Sequence, residues 1–500
     1  MRRISQSAVV WILLAMMFGI GAEAQNKCVI PKYSRIIRTR PNATSANGTQ
    51  QLQWYAQGVK AMQQRSTTNP NDPTGWTYQA AMHGTYTTPV QPLWNTCQHG
   101  TYFFLSWHRM YLYFFERIVR ANSNAGFNLP YWDYDNPTSG TDPKLQLPSQ
   151  FRNTSSSLYV SERNPTMNAG GYLPVGDVGT DYSMKRIPFT CGATNWSSSF
   201  GGKLVPAPVH LASGFGALES LPHNAVHDDV GGWMSDPNTA AQDPIFWLHH
   251  SNIDRLWDAW IKLDAGRANL TDPTYTAWLD QKFYFFDEKA NQCYLTGRDV
   301  LKDAAQLGYK YQSITVPVPS TKVNCPGQRL TATFTPQMVA ELTQAKVSLG
   351  PKPITHQLPV KEIAPEPNPK TRKKTAAATA SHHYVISFDD IDFDKNPGVG
   401  YEVYLNLPEG TKPVPTSPYY IGTLHFFGLK HSHQESHESQ LQFDATNVVN
   451  LLKQRNQWKG EIKVTYVPVG PRPPKATAAA QEEHVAGTAT IGKVSISQVD

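Results

Sequence analysis

Apolar and polar positions follow two different patterns along this chain, one before and one after about residue 315. From about residue 50 to 315, aromatic segments of helix length alternate with long loops rich in Gly, Pro, Asn and Ser, such as 135–157 and 162–185. Apolar residues recur at helical spacing within the segments. This pattern predicts a mainly α domain, with a helical core wrapped in long loops.

The C-terminal part is predicted to form a separate domain of strands. Proline becomes frequent over 316–375, which marks a boundary. Beyond it, short runs alternate apolar and polar positions and are separated by turn residues: "HHYVISFDDIDF", "GYEVYLNLPEG", "YYIGTLHFFG", "GEIKVTYVPVG" and "GTATIGKVSIS". Such alternation is typical of strands with one buried face. We therefore predict a helical domain over 25–315, a linker over 316–350 and a small all-β sandwich over 351–500.

The first residues have the pattern of a secretory signal peptide. "MRRISQSAVVWILLAMMFGIGAEAQ" joins a basic start, an apolar stretch and the small-residue site Ala22-Glu23-Ala24. It predicts a signal peptide over 1–24 and a secreted or periplasmic protein. The pair Arg2-Arg3 leaves the export route open. No later apolar run is long enough to span a bilayer, so we expect no membrane association after cleavage.

Charge and cysteine content narrow the class of protein. Lys and Arg number 45 against 39 Asp and Glu, and the one basic block is "KTRKK" at 370–374, which we assign to a solvated linker. This dispersed charge does not point to a nucleic-acid partner, and the oligomeric state stays open. Five cysteines in an exported chain leave at least one without an internal disulfide partner. We choose Cys97, because it lies two residues before His99.

The candidate chemistry is carried by histidines near aromatic segments. They are His83, His99, His108, His223, His227 and His250. In "HGTYFFLSWHRMYLYFFERI", residues 99–118, His99 and His108 would point about 180° apart on one helix, so one of them must lie outside it to share a site. His223 and His227 are four residues apart and share a helix face. No cysteine pair or carboxylate motif accompanies the set, and imidazole-only coordination suits copper or zinc.

Two stretches resemble the copper signatures of the tyrosinase and polyphenol oxidase family, the type-3 copper proteins. They are "HGTYFFLSWHRMYLYFFE", from His99 to Glu116, and "DPIFWLHHSNID", from Asp243 to Asp254. Further along, "FYFFDEKANQCYLTGRDVLKDAAQLGYKYQ" resembles the end of the plant-type catalytic domain, and "VISFDDIDFDKNPGVGYEVYLNLPEG" resembles its C-terminal β domain. The resemblance implies a four-helix bundle that holds two copper ions.

The resemblance also implies two sets of copper ligands. His83, His99 and His108 would bind the first ion, and His223, His227 and His250 the second. His99 would reach in from a loop, while His108 would be presented by a helix. In the adjacent pair His249 and His250, the signature places its ligand four residues before Asp254, which selects His250.

Further residues bear on the chemistry that the family would perform. Cys97 matches the arrangement in which family members carry a thioether to the second histidine, here His99; a disulfide is the alternative. Glu219 and Asn224 stand where a Glu and an Asn are proposed to hold a water that takes the proton from a monophenol; a purely structural role is the alternative. Asp228 is acidic where several tyrosinases have a basic residue, which argues against strong monophenol activity.

Two other groups of side chains have open interpretations. Arg109, Glu116 and Asp254 form ion pairs within the bundle, or Asp254 orients an imidazole by accepting its other N–H. The C-terminal cluster belongs to a solvated loop or to a second copper-binding surface; its members are His425, His431, His433 and His437.

The sequence thus predicts a binuclear copper enzyme whose partners are O2 and phenolic small molecules. It would oxidise o-diphenols to o-quinones and hydroxylate monophenols modestly; the alternative is an enzyme restricted to o-diphenols or aminophenols. A haemocyanin-like oxygen carrier is less favoured because the chain has no repeated units, and a zinc hydrolase because no carboxylate falls at ligand spacing. The β domain resembles the domain that covers the copper site in latent plant-type enzymes, which implies that it shields the site by docking one apolar residue over the pocket; a role in folding or copper loading is the alternative.

Overall fold

The computed structural model describes residues 26–30, 37–185, 187–191, 199–264, 266–271, 273–317, 337–342, 346–361, 382–429, 439–474 and 487–499. The predicted signal peptide, the "KTRKK" run and the histidines at 431, 433 and 437 lie outside the described residues. In these described ranges, no helix combines the length and the apolarity needed to cross a bilayer.

The first domain is built around long buried helices. Its α-helices in the described part of the chain are α1 (Ala46–Thr68), α2 (Trp76–His83), α3 (Phe104–Ala121), α4 (Ser149–Arg152), α5 (Pro165–Asn168), α6 (Val175–Val178), α7 (Ala225–Val230), α8 (Ile245–Leu263), α9 (Thr276–Asp280) and α10 (Gly297–Val300). Nearly every side chain of α3 and α8 is buried, because both helices are aromatic or aliphatic on most of their circumference. Helix α3 packs against α1 and α8, and α1 also packs against α2. Long loops cover this bundle, as predicted.

Two small strand pairs close the helical domain. The strands are β1 (Arg38–Arg40), β2 (Phe283–Phe286), β3 (Gln292–Leu295) and β4 (Tyr309–Tyr311). β1 pairs with β4 in parallel, and β2 with β3 antiparallel. A disulfide joins Cys28 to Cys293, and Cys191 is disulfide-bonded as well. Cys97 is the free cysteine of the described residues, as the sequence predicted.

A buried network of charged side chains connects β1 and β4 to the bundle. Nε of Arg40 donates to Glu116 at 2.7 Å, and Nε of Arg109 donates to Oδ1 of Asp254 at 2.5 Å. The hydroxyls of Tyr309 and Tyr311 donate to Oδ2 of Asp254, each at 2.5 Å. The ion-pair interpretation of these side chains is therefore correct. The alternative, in which Asp254 orients an imidazole, is wrong, because arginine and tyrosine donors occupy both of its oxygens.

The second domain contains two antiparallel sheets. Its strands in the described ranges are β5 (Gln337–Glu341), β6 (Val347–Leu349), β7 (Ile354–Pro359), β8 (His383–Phe393), β9 (Gly400–Leu405), β10 (Tyr420–Leu424), β11 (Leu441–Asp444), β12 (Glu461–Val469) and β13 (Ala489–Val499). One sheet has the order β10-β9-β12-β7, and the other has the order β11-β8-β13-β5 with β6 also beside β13. Aromatic side chains meet between the sheets, for example Phe388 of β8 and Tyr466 of β12.

The predicted fold class, a helical domain followed by a small β sandwich, is confirmed. Each of the five runs with alternating polarity contains a strand. Two details differ. The sheet begins at Gln337, inside the predicted linker over 316–350, because β5 and β6 pair with β13 near the end of the chain. The β domain also contains one helix, α11 (Thr446–Gln454), between β11 and β12.

Candidate metal centre and its cover

Three histidines of the helical domain meet to form the first group of candidate ligands. His83 ends α2, His99 lies in the loop before α3, and His108 lies within α3, so a loop and a helix contribute as predicted. All three are buried, and one nitrogen of each lies within 4.8 Å of those of the others. The ring centroids of His83 and His99 are 5.0 Å apart, and those of His99 and His108 are 5.1 Å apart.

A second group stands directly beside the first. His223 lies in the π-helical turn Glu219–Asn224, His227 in α7 and His250 in α8. Nε2 of His250 is 3.3 Å from Nε2 of His223 and 3.2 Å from Nε2 of His227. Two nitrogens at about 2.0–2.1 Å from one first-row metal ion, at a tetrahedral angle, are about 3.3 Å apart. The spacing therefore fits three ligands of one ion.

In the first group, hydrogen bonds at Nδ1 fix the orientation of the imidazole rings. Nδ1 of His83 donates to the carbonyl of Pro237 at 2.8 Å, and Nδ1 of His108 to the carbonyl of Phe104 at 2.9 Å. A carbonyl oxygen only accepts, so Nδ1 carries the proton and Nε2 offers a lone pair. Nε2 of all three rings, including that of His99, is buried without a hydrogen-bond partner. Unpartnered buried nitrogens are uncommon, and a metal ion would satisfy all three.

Two members of the second group are oriented in the same way, whereas Nδ1 of His250 is buried without a hydrogen-bond partner. Nδ1 of His227 donates to the carbonyl of Met234 at 2.7 Å, and Nδ1 of His223 to Oδ1 of Asn224 at 2.8 Å. Both Nε2 atoms consequently face His250. The rings of His108 and His250 stack with centroids 4.4 Å apart, so the two groups share one enclosed volume.

All six imidazoles are neutral in this environment. Burial lowers the pKa of His83 and of His223 to about 3, and it lowers the pKa values of the other four well below 6.5. Neutral imidazole is the form that binds a metal ion.

His249 lies next to the second group. It is buried, and one of its nitrogens lies within 4.8 Å of those of His223, His227 and His250. Its Nδ1, however, is hydrogen-bonded to the hydroxyl of Tyr134 at 2.8 Å. The short contacts between Nε2 atoms involve His250, which favours the predicted choice of His250 as the ligand.

Glu219 and Asn224 both lie beside the second group. Oε1 of Glu219 accepts a hydrogen bond from the backbone N–H of Gly100 at 2.8 Å, and Oε2 is buried without a partner. Burial raises the pKa of Glu219 well above its usual range. Asn224 has a structural task, because its side chain fixes the tautomer of His223; the sequence had offered a structural role as the alternative without identifying this contact.

The β domain inserts the ring of Phe427 into this centre. The ring stacks on His227 with centroids 3.7 Å apart and planes 8° apart, and it lies 5.5 Å from the ring of His223. Phe427 is fully buried and packs with the core of the helical domain. The sequence predicted one apolar residue over the pocket but did not identify it; the only signal was "HFFG", at the end of the third predicted strand run.

Polar contacts anchor the β domain next to this ring. Oδ1 of Asp228 accepts from Nδ2 of Asn396 at 2.7 Å, and Oδ2 accepts from the backbone N–H of Phe426 at 2.6 Å. The imidazole of His425 lies between Asp177, at 3.5 Å, and Asp228, at 3.6 Å. His425 is 3% exposed, so its assignment to a solvated loop is wrong. The two carboxylates compensate for the burial of the His425 imidazole, and the three side chains form an ion pair between the domains.

A bundle that presents two adjacent triads of neutral imidazoles is suited to bind two metal ions side by side. The family model for the common central domain of tyrosinase matches residues 73–197 and 188–263, and the model for the polyphenol oxidase middle domain matches 270–324. A domain of unknown function matches 336–498.

Relatives extend this match over most of the chain. A tyrosinase of Hahella sp. (strain CCB-MM4) is 33% identical over 462 residues, which are 83% of this chain and 92% of that protein. A chloroplastic polyphenol oxidase of Malus domestica is 27% identical, over 86% of this chain and 75% of that protein. The fold matches that of latent apple tyrosinase with a TM-score of 0.63 at 24% identity. The match covers 95% of this chain and 100% of that chain.

The chain belongs to the tyrosinase and polyphenol oxidase family. The predicted family and the prediction of an oxidoreductase are both confirmed.

Proposed function

We propose that this protein is a binuclear copper oxidase that uses O2 to oxidise o-diphenols to o-quinones and hydroxylates monophenols to a smaller extent. One observation carries the proposal: two adjacent triads of neutral imidazoles with their Nε2 atoms directed inward. Family membership and the names of the relatives, which include tyrosinase, polyphenol oxidase and catechol oxidase, support it. A strict catechol oxidase is the alternative.

In this proposal, six histidines hold two copper ions. His83, His99 and His108 hold one ion, and His223, His227 and His250 hold the other. Imidazole-only ligation suits copper, and no carboxylate belongs to either group of ligands found in the described residues. When bound, the copper pair supplies O2 binding and electron transfer, which no side chain can provide. The protein contributes fixed imidazole orientations and a dry, aromatic pocket.

Glu219 and Asn224 are proposed to handle the proton of a monophenol. The free carboxylate oxygen of Glu219 and the amide of Asn224 could hold a water near the substrate hydroxyl. Burial raises the pKa of Glu219 well above its usual range. Two cations bound by the neighbouring imidazoles would lower that pKa again, which would restore a base at the site.

The β domain is proposed to keep the enzyme latent. A phenol that approaches the second triad would need the volume that the ring of Phe427 fills against His227. The rate of diphenol turnover is then proportional to the fraction of molecules in which the β domain has moved away from the metal centre. Since β5 and β6 belong to the β domain, a cut that separates the domains without breaking a described strand falls between 317 and 337.

The test measures copper content and oxygen uptake on the full chain before and after cleavage in that segment, with 4-methylcatechol and p-cresol. We expect about two copper ions per chain, and catechol turnover that rises several-fold after cleavage, as a population shift predicts. A copper-loaded intact chain that is already as active as the cleaved chain would refute the cover. Reversible O2 binding without catechol turnover, even after cleavage, would identify an oxygen carrier instead.

Secretion or periplasmic location stays a prediction, which N-terminal sequencing of the mature protein would test.

A further inference from the structure

The sulfur of Cys97 lies between two imidazoles. Sγ is 3.3 Å from Nδ1 of His99, a proposed copper ligand, and 3.2 Å from Nδ1 of His210. Cys97 is fully buried and forms no disulfide. The sequence pointed to Cys97 and His99 through their spacing, but His210 lies 113 residues away from Cys97 and carried no signal.

The contacts of His210 determine the direction of its hydrogen bond. Its Nδ1 is 3.2 Å from the carbonyl oxygen of Cys97 as well as 3.2 Å from the sulfur. A carbonyl oxygen only accepts, so Nδ1 of His210 carries the proton and donates to both atoms of Cys97. On the other side, Nε2 of His99 faces the metal site, so Nδ1 of His99 carries that ring's proton. The sulfur therefore sits between two N–H donors, which fixes its rotamer.

Backbone hydrogen bonds hold these segments together independently of the side chain of His210. The N–H of His99 donates to the carbonyl of His210 at 3.2 Å, and the N–H of Ala212 donates to the carbonyl of His99 at 3.2 Å. Between them, Gly100 has φ +64°, and a Cβ there would lie 2.0 Å from the carbonyl oxygen of Ala212. A change confined to the side chain at 210 should therefore leave this backbone pairing intact.

We propose that His210 is a positioning residue for the Cys97–His99 thioether: its Nδ1–H holds Sγ beside the Nδ1 edge of the His99 ring, so that oxidation joins sulfur to the adjacent ring carbon, Cε1. This inference rests on the proposed function, because the reaction needs copper and O2. In the reaction, the Sγ–H and Cε1–H bonds break and an Sγ–Cε1 bond forms. The two electrons and two protons released pass to one O2, which leaves as hydrogen peroxide.

A nearly isosteric pair of variants tests the role of His210. In His210→Asn, the amide nitrogen is attached to Cγ, as Nδ1 is, and can still donate to the sulfur. His210→Leu has similar volume and no donor. Copper is added to the metal-free full chain in air, and the cross-linked fraction is followed by mass spectrometry of tryptic peptides after reduction and alkylation. Metal-free and anaerobic samples are the controls, and copper content and thermal unfolding are measured for every variant.

The wild-type chain and His210→Asn should yield peptide 66–109 lighter by two hydrogen atoms and resistant to alkylation. In His210→Leu, the cross-link should form several-fold more slowly, up to about tenfold for the loss of one hydrogen bond, at equal copper content. Equal rates in all three chains would refute the positioning role. A cross-link that joins peptide 66–109 to peptide 204–255 would also refute it, since His210 would then be the partner itself. An unmodified wild-type peptide from a chain that oxidises catechol would overturn the thioether but leave the proposed function standing.

Discussion

His425 is the side chain whose loss should loosen the β domain most directly. Burial by itself lowers its pKa, but the carboxylates of Asp177 and Asp228 on the helical domain more than offset burial and raise the pKa from 6.5 to about 10. This difference corresponds to about 5 kcal/mol in favour of the protonated, docked form. His425→Gln should therefore shift the docking equilibrium towards the open form, by roughly three orders of magnitude at most, and latency should fall.

The same pKa gives the expected pH dependence. Because it is raised in the docked form, protonated His425 stabilises docking fully below pH 6.5, and this stabilisation is lost as the pH rises towards 10. Glu402 acts in the same direction: burial and Asp177 raise its pKa to about 7, so above that pH it adds a second negative charge near Asp177. Asp229, whose pKa burial raises well above 3.8, also faces His425. The wild-type chain should become less latent from pH 6.5 upward, and His425→Gln should show a flatter profile.

The assay measures 4-methylcatechol turnover before and after cleavage between 317 and 337 and compares the ratio of the two rates from about pH 6 to about pH 9. At the upper end of this range, a histidine with an ordinary pKa is already neutral. His356→Gln is the matched control, because His356 is a partly buried histidine of β7 that stacks on Tyr466 inside the β domain. A His425→Gln chain with the wild-type ratio and the wild-type pH profile would show that this ion pair does not hold the cover in place.

Three further predictions concern the centre itself. Phe427→Gly should raise catechol turnover of the uncut chain several-fold, whereas Phe427→Leu, which keeps apolar bulk, should stay latent. Equal activity of the two variants would mean that another side chain blocks access of the phenol to the centre. His108→Ala and His250→Ala should each lose one copper ion, measured by metal analysis, together with catechol oxidation, while His249→Ala should be milder; copper loss in His249→Ala with His250 dispensable would reverse the assignment. Glu219→Gln should reduce p-cresol hydroxylation more than 4-methylcatechol oxidation, and equal losses on both substrates would give Glu219 a structural role.

The helical domain was largely predictable from sequence because its signals are local. His108 lies in a long aromatic helix, and His223 and His227 lie one turn apart, so chemistry and periodicity coincide within short stretches. The angular separation of His99 and His108 required one of them to lie outside the helix, and the family resemblance identified His99 as that residue. The sequence could not decide between an ion pair and the orientation of an imidazole for Asp254, since its partners Tyr309 and Tyr311 lie more than 50 residues further along the chain.

The β domain shows where local patterns fail. β5 and β6 are short and lie in a proline-rich stretch, and their partner β13 lies about 150 residues later; a pairing at such distance leaves no local trace. His425 was assigned to a solvated loop together with the other C-terminal histidines, but the charges that stabilise it come from Asp177 and Asp228, on the other domain. Burial of a charged side chain depends on such distant partners, and a single sequence does not reveal them.

The pairing of β1 with β4 has a consequence for the order of events on the ribosome. Arg109 and Asp254 are synthesised well before Tyr309 and Tyr311, whose hydroxyls complete the buried network. Tyr309 and Tyr311 each donate a hydrogen bond to the buried carboxylate of Asp254, and a hydrogen bond to a charged group contributes about 1.5–3 kcal/mol. The bundle should therefore reach its final packing only once Tyr311 has left the exit tunnel, and nascent chains that stop before Tyr309 should stay open to proteases although they already contain every proposed copper ligand.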